Sequence, residues 1–240
     1  MQQMASDNFR RSVVDNSYPG RGIVVGRSDQ DDSLVLLYWI MGRSENSRNR
    51  RFVAEGGELR TEPVDLSKVT DPSLVIYEAM LERPGVQIVT NGDQTRTIER
   101  ALADGGRFDE ALQTREREPD APNYTPRISA MVDVRGGEPA LWLSILKANV
   151  FDPGQTDRSY FRPALPAAGH GLLITTYEGD GDPLPSFVGE PRVVPCEGTA
   201  EALLERYWQA LDADNRVSLA VKTVAPDGST RELLLRNRHT

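Results

Sequence analysis

The sequence predicts an α+β fold built of mostly antiparallel sheets with helices packed on their outer faces. Three observations predict it. Short apolar runs recur along the 240 residues, and most are joined in pairs by tight-turn residues, the pattern of hairpins. Helical periodicity is confined to two or three separate blocks and does not alternate with the strands. Apolar residues make up 38% and charged residues 27%, the ordinary balance of a folded chain.

Taken in order, residues 1–17 read as a polar leader. Arg10 and Arg11 are followed by no apolar core, so this stretch is not a secretory signal. Residues 18–240 read as one domain. Gly22 to Arg27 and Ser33 to Met41 are two strands joined by Ser28-Asp29-Gln30-Asp31-Asp32. Leu74 to Leu81 and Val86 to Thr90 flank Glu82-Arg83-Pro84-Gly85, where Pro-Gly marks a tight turn. Ile98, Ala101 and Leu102 share a helical face that ends at Gly105-Gly106, and Phe108, Ala111 and Leu112 begin a second short helix. After a proline-broken loop (Pro119, Pro122, Pro126), Arg127 to Val134 and Ala140 to Val150 form another strand pair. Gly171 to Tyr177 is a further strand. Thr199 to Leu211 is the clearest helix, with Thr199 as cap, Glu201 in the positive first turn and a stripe of Leu203, Leu204, Tyr207, Trp208 and Leu211. Val217 to Val224 and Ser229 to Leu235 close the chain as a hairpin around Pro226-Asp227-Gly228. The total is about eight to ten strands.

The net charge of −8 argues against non-specific binding to a nucleic-acid backbone, while a local basic pocket for one small anion stays compatible with it. Cys196 is the sole cysteine and His170 and His239 the only histidines, which excludes an intrachain disulfide and cysteine- or histidine-rich metal sites. No run approaches the ~18 apolar residues of a membrane span. The cytoplasm is the simplest compartment.

The most informative stretch is Tyr38 to Phe52. An apolar strand runs into Arg43, Arg48, Arg50 and Arg51 set against one carboxylate, Glu45, with Ser44, Asn46, Ser47 and Asn49 interleaved. Guanidiniums grip phosphate oxygens bidentately and short hydroxyl and amide donors complete such a shell, so the stretch suits a small phosphorylated ligand; a solvated loop is the plainer alternative. Tyr18-Pro19-Gly20-Arg21-Gly22 lets the backbone approach a ligand closely with Arg21 poised over it, or is simply a turn into a strand. Thr90-Asn91-Gly92-Asp93-Gln94-Thr95 ends a strand and opens a helix, where free N–H groups favour an anion or a polar carbonyl; for Asp93 and Thr95 a plain N-cap is the alternative, which explains Asn91 less easily. Tyr177-Glu178-Gly179-Asp180-Gly181-Asp182-Pro183 is a flexible acidic turn or the source of a general base or ribose ligand. Lys147 ends an apolar strand and is either solvated or an anion ligand. His170 reads as a loop residue and Cys196 as buried and inert. There is no Gly-x-Ser-x-Gly and no Walker-type loop.

Five of these blocks resemble one family. Tyr18-Pro-Gly-Arg21, Tyr38 to Phe52, Thr90 to Thr95, Pro119 to Arg127 and Thr176 to Phe187 stand in the same order in archaeal-type IMP cyclohydrolases and their bacterial members, over about residues 18 to 191. The resemblance implies a four-layer α-β-β-α sandwich similar to N-terminal-nucleophile hydrolases. It also implies closure of 5-formamidoimidazole-4-carboxamide ribotide to inosine monophosphate with loss of water, without metal or organic cofactor. The partner is then a small purine ribonucleotide, with no nucleic acid or membrane, and a homo-oligomer is left open. On this reading Arg43, Ser44, Arg48, Asn49 and Arg50 anchor the 5′-phosphate and ribose. Arg21 and Asn91 polarise the carboxamide and formyl oxygens, with Gly92, Asp93 and Lys147 also lining the substrate. Tyr18, Tyr124 and Glu178 are the candidates for proton transfer. The chain departs from the family in that four residues separate Arg43-Ser44 from Asn49-Arg50, where the family core is shorter. Two other classes compete: a purine-nucleotide sensor without turnover, and an N-terminal-nucleophile amidohydrolase. An RNA-binding role is the weakest.

Overall fold

Apolar pairing relieved by glycine starts the first sheet. β1 (Gly22–Arg27) and β2 (Leu34–Met41) pair antiparallel with Gly22 opposite Trp39, and a Cβ on Gly22 would stand 2.0 Å from the indole. The glycine is there because the large ring crosses its strand. The computed structural model, which describes residues 1–69 and 76–239, adds β10 (His170–Thr175), β11 (Arg192–Pro195), β12 (Arg216–Val224) and β13 (Thr230–Asn237) to make a six-stranded sheet in the order β11-β10-β1-β2-β12-β13. The second sheet is a sequential meander of β3 (Arg51–Glu55), β4 (Glu58–Glu62), β5 (Glu78–Arg83), β6 (Val86–Thr90), β7 (Arg127–Asp133), β8 (Ala140–Ala148) and β9 (Thr156–Phe161). Every strand pairing is antiparallel.

The period of two along β2 sorts its side chains between two cores. Leu34, Leu36, Tyr38 and Ile40 join the largest cluster, which draws on both sheets through residues such as Ile128, Leu143 and Val89. Val35, Leu37, Trp39 and Met41 join a second cluster with Phe9, Leu203 and Tyr207 from helices α1 (Gln2–Phe9) and α5 (Ala200–Ala210). A third cluster sets Ile98 of α3 (Gln94–Ala103) and Phe108 and Leu112 of α4 (Phe108–Gln113) against Ile88, Met131 and Leu146 of the second sheet. One short helix, α2 (Glu45–Arg48), follows β2.

Thr199 caps α5 as the sequence indicates, its Oγ1 accepting from Ala202 N–H at 3.3 Å. Thr199→Ala is expected to cost ~1 kcal/mol, read as a lower urea midpoint at unchanged m value.

Several elements differ from the sequence reading. The expected polar leader is α1 followed by a π-helical segment, Arg10–Val14, with Ala5, Phe9, Ser12 and Val13 buried. Three or four apolar residues per two turns suffice to dock a helix, and that stripe is too sparse to register as an apolar core. Thirteen strands are present among the described residues, not eight to ten; β3, β4, β9 and β11 are the additions. The expected strand from Leu74 begins outside the described residues, and its described part is β5.

Candidate functional site

The chain packs closely at the turn that leads into β1. Gly20 holds φ at +72°, and a Cβ there would lie 2.2 Å from Thr176 Oγ1, so only glycine fits the turn. The next residue, Arg21, donates its backbone N–H to the same Thr176 hydroxyl at 3.0 Å. This fixes where the Arg21 side chain enters the interior. Its Nε is buried and finds no hydrogen-bond partner among the described residues.

A second guanidinium sits within the field of the first. Arg50, in the turn between α2 and β3, is 2% exposed and donates from Nε to the Ser47 carbonyl at 3.0 Å. Neither arginine forms an ion pair among the described residues. Burial and then the neighbouring Arg21 charge hold the Arg50 pKa below its ordinary value. For Arg21, burial also opposes the charge, but the Glu118 carboxylate and the Tyr177, Tyr18 and Tyr77 rings outweigh it and keep the group firmly protonated.

Around this pair the two sheets contribute polar groups. Tyr38 faces inward from β2, and its hydroxyl meets that of Tyr77 at 2.7 Å. Burial pushes both phenols above their usual range. Thr125 Oγ1 contacts the Tyr177 hydroxyl at 2.6 Å and Asp120 Oδ2 at 2.5 Å. Burial pushes the Tyr177 pKa up to about 12. The Tyr18 ring is stacked on Tyr177 with centroids 6.0 Å apart. Glu118 is buried, and burial raises its carboxyl pKa even though Arg21, Arg127 and Arg50 pull it down. The cluster therefore combines a buried cation, a half-buried one whose Nε is buried, a carboxyl that keeps its proton to higher pH than usual, and four phenols. Two like charges held together away from water cost free energy unless an anion joins them. Such a group is fitted to bind an oxyanion and to move a proton beside it.

All of these residues fall inside the span of a single family model, that of the IMP cyclohydrolase-like protein, which matches residues 18–228. The chain belongs to the IMP cyclohydrolase-like family. No curated protein matches it significantly. Among the described residues no group of three or more His, Cys, Asp or Glu side chains is arranged to hold a metal, and no helix is long and apolar enough to cross a membrane.

Within this family member the residues singled out from sequence do not all converge. Tyr18, Arg21 and Arg50 belong to the buried cluster. Arg43 lies over the Tyr18 ring at 5.1 Å and ion-pairs with Asp180. Ser44 caps α2, its Oγ accepting from Ser47 N–H at 3.1 Å. Arg48 donates to the Gly42 carbonyl and Asn215 Oδ1, and Asn49 exchanges two hydrogen bonds with the Asp65 backbone. Both line a surface cavity of about 350 Å³ together with Glu45, Asp65, Lys68 and Arg238. Asn91 is engaged at both ends of its amide: Nδ2 donates to the Pro126 carbonyl and Oδ1 accepts from Ile128 N–H and Gln94 Nε2. Gly92 gives Arg127 room, since a Cβ would lie 2.6 Å from Nη1. Asp93 pairs with Arg127 at 2.9 Å and Arg115 at 2.5 Å. Lys147 donates to the Phe187 carbonyl at 2.9 Å. Tyr124 holds φ at 43°, in the left-handed region, with Arg117 stacked 4.6 Å from its ring. Glu178 grips Arg192 with both oxygens, at 2.6 and 2.7 Å, and accepts Val188 N–H.

Sequence reasoning missed Tyr77 and Glu118 altogether. A signal existed for Tyr38, whose period-two position puts it on the inner face of β2; Glu118 sits in the polar run Arg115-Glu116-Arg117-Glu118, which carries no periodic signal.

Proposed function

We propose that this protein is an IMP cyclohydrolase, closing the formylated ribotide to inosine monophosphate with loss of water. The observation that carries the reading is the Arg21–Arg50 pair inside the matched span, two neighbouring guanidiniums of which Arg50 and the Nε of Arg21 are buried and neither of which forms a salt bridge among the described residues. In this reading the helices and sheets are layered as an α-β-β-α sandwich like that of N-terminal-nucleophile hydrolases, and the enzyme acts in the cytoplasm on a free nucleotide.

The chemistry demands little beyond placement and charge control. The carboxamide nitrogen attacks the formyl carbon to which it is already tethered, forming the C–N bond. The formyl C=O pair moves onto oxygen, and the carboxamide N–H proton is passed on. Freezing the rotamers that bring nitrogen and carbon together lowers much of the barrier. Arg21, with its free Nε donor, stabilises the oxyanion as it grows on the formyl oxygen. The resulting hydroxyl then leaves as water, taking one proton from an acid while the formamide nitrogen gives up its own to form the ring C=N bond. Glu118 is the acid of choice, because burial keeps it protonated beyond the usual carboxylate range. Arg50, together with Arg43 over the Tyr18 ring, carries the ligand's anionic end. Tyr18 and Tyr177 form the wall against which the imidazole lies, and Tyr177, with its pKa near 12, serves as a neutral donor. Glu178 is occupied by Arg192 and is better suited to shaping its loop than to taking a proton.

Glu118→Gln tests the acid assignment. The variant is expected to lose ~10²–10⁴-fold in kcat and the fall of activity with rising pH that a carboxyl acid imposes. An unaltered pH profile of kcat removes Glu118 from the chemistry.

A further inference from the structure

Two loops meet over the aromatic wall of the buried cluster, and one arginine joins them. Arg43, just after β2, donates from Nη1 to the Asp180 carboxylate and to the Gly181 carbonyl, the latter at 2.9 Å. The same guanidinium lies over the Tyr18 ring, which stacks on Tyr177, whose hydroxyl contacts Thr125 inside the cluster. Arg43 thus stands at the outer face of the wall whose inner side is within the field of Arg21. Both members of the ion pair reach solvent, with side chains 36% and 49% exposed. The rest of the loop is held by other bonds: Glu178 to Arg192, Val188 N–H to Glu178, and Leu184 N–H to Asn123 Oδ1. Apart from its bond to Arg43, Asp180 accepts only the neighbouring Gly181 N–H, at 2.9 Å, among the described residues.

We propose that Asp180 is a built-in competitor for the Arg43 guanidinium, displaced when the anionic group of a ligand seats against Tyr18. The inference rests on the nucleotide reading above for the identity of that ligand. A guanidinium stacked on a ring keeps its edge free for bidentate pairing, and a phosphate presents more charge and more acceptor oxygens than a carboxylate. Exchange therefore favours the ligand, but part of its binding free energy is spent in breaking the internal pair. Partly exposed ion pairs are weak, so the discount is modest, about two- to five-fold in Kd. Asp180 in this way tunes how strongly the site holds anions without touching the reacting atoms.

Calorimetric titration at low ionic strength tests this, with inorganic pyrophosphate and inosine monophosphate as probes. The proteins are the wild type, Asp180→Asn and the double variant Arg43→Gln/Asp180→Asn; asparagine keeps the acceptor for Gly181 N–H. Asp180→Asn is expected to bind both probes about two- to five-fold more tightly, with the gain lost in the double variant and at high salt. Unchanged or weaker binding in Asp180→Asn, a gain that survives loss of Arg43, or no binding of pyrophosphate to any of the proteins overturns the proposal. Exchange seen with pyrophosphate while inosine monophosphate fails to bind leaves the Asp180 proposal standing and removes the cyclohydrolase reading.

Discussion

Replacing Arg21 by methionine is expected to lower kcat/KM for ring closure by ~10²–10³-fold while leaving the melting temperature unchanged or higher. The two halves of this result have one cause. Arg21 holds a buried Nε that finds no hydrogen-bond partner among the described residues, and its charge, added to burial, disfavours the charged form of Arg50. Methionine fills similar volume, removes the unsatisfied donor and relieves the repulsion on Arg50. A residue kept only for stability would show the opposite sign. If Arg21→Met melts well below the wild type, the guanidinium has a structural partner and its role as oxyanion donor loses its support. If it folds well and turns over normally, the same conclusion follows from the kinetics.

The second large effect concerns the inter-sheet contact at Lys222. This lysine alternates onto the inner face of β12 and is fully buried, with Nζ donating to the Gly57 carbonyl at 2.6 Å and to Gln87 Oε1, and Glu82 at 3.5 Å. Burial lowers its pKa from 10.5 to about 8, although Glu82 pulls the other way. The folded protein thus releases the Lys222 proton near pH 8, whereas the unfolded chain keeps it to about 10.4. Between those values the unfolded state binds more protons, so this group makes the fold more stable as pH rises. From pH 7.5 to 9.5 the contribution is about 2 kcal/mol. Cys196, pushed up to about 12 by burial, works against it, because the unfolded thiol ionises in the same window while the folded one does not. The informative quantity is therefore the difference between wild type and Lys222→Met in urea unfolding at the two pH values. The wild type is expected to gain on the variant as pH rises; parallel pH dependences would mean that the ammonium is not destabilised by burial.

Much of the fold was legible because its strands advertise themselves twice, by apolar content and by the turn that joins them. The hairpin of β5 and β6 around Pro84-Gly85 and the hairpin of β12 and β13 around Pro226-Asp227-Gly228 are cases where both signals agree. The elements that escaped lack one signal. β9 is Thr-Asp-Arg-Ser-Tyr-Phe at a sheet edge with every residue half-buried, so no apolar alternation marks it. β3 and β4 carry Arg51, Glu55, Arg60 and Glu62, whose charges pair with one another within and across the two strands and read in sequence as loop. In the site, Arg21 was legible because glycines on either side mark a close backbone approach. The arginine run was read as one anion cradle, but side-chain direction after a strand and a four-residue helix is not a property of spacing. Arg43 turns to Asp180, Arg48 and Asn49 brace the loop, Arg51 lies on the surface against Glu62, and Arg50 alone goes into the cluster. Glu118 was invisible because its environment is assembled from Arg21 ahead of β1, Arg50 between α2 and β3, and Arg127 at the start of β7, which only the tertiary structure brings together.

The most direct test of the account is a single-turnover reaction of the purified protein with 5-formamidoimidazole-4-carboxamide ribotide, in which ring closure is followed by the change in absorbance and the product by mass. The account predicts conversion to inosine monophosphate with loss of one water, fast in the wild type and nearly abolished in Arg21→Met. Binding of inosine monophosphate with no closure of the formylated ribotide would contradict it and leave a nucleotide-binding protein without turnover.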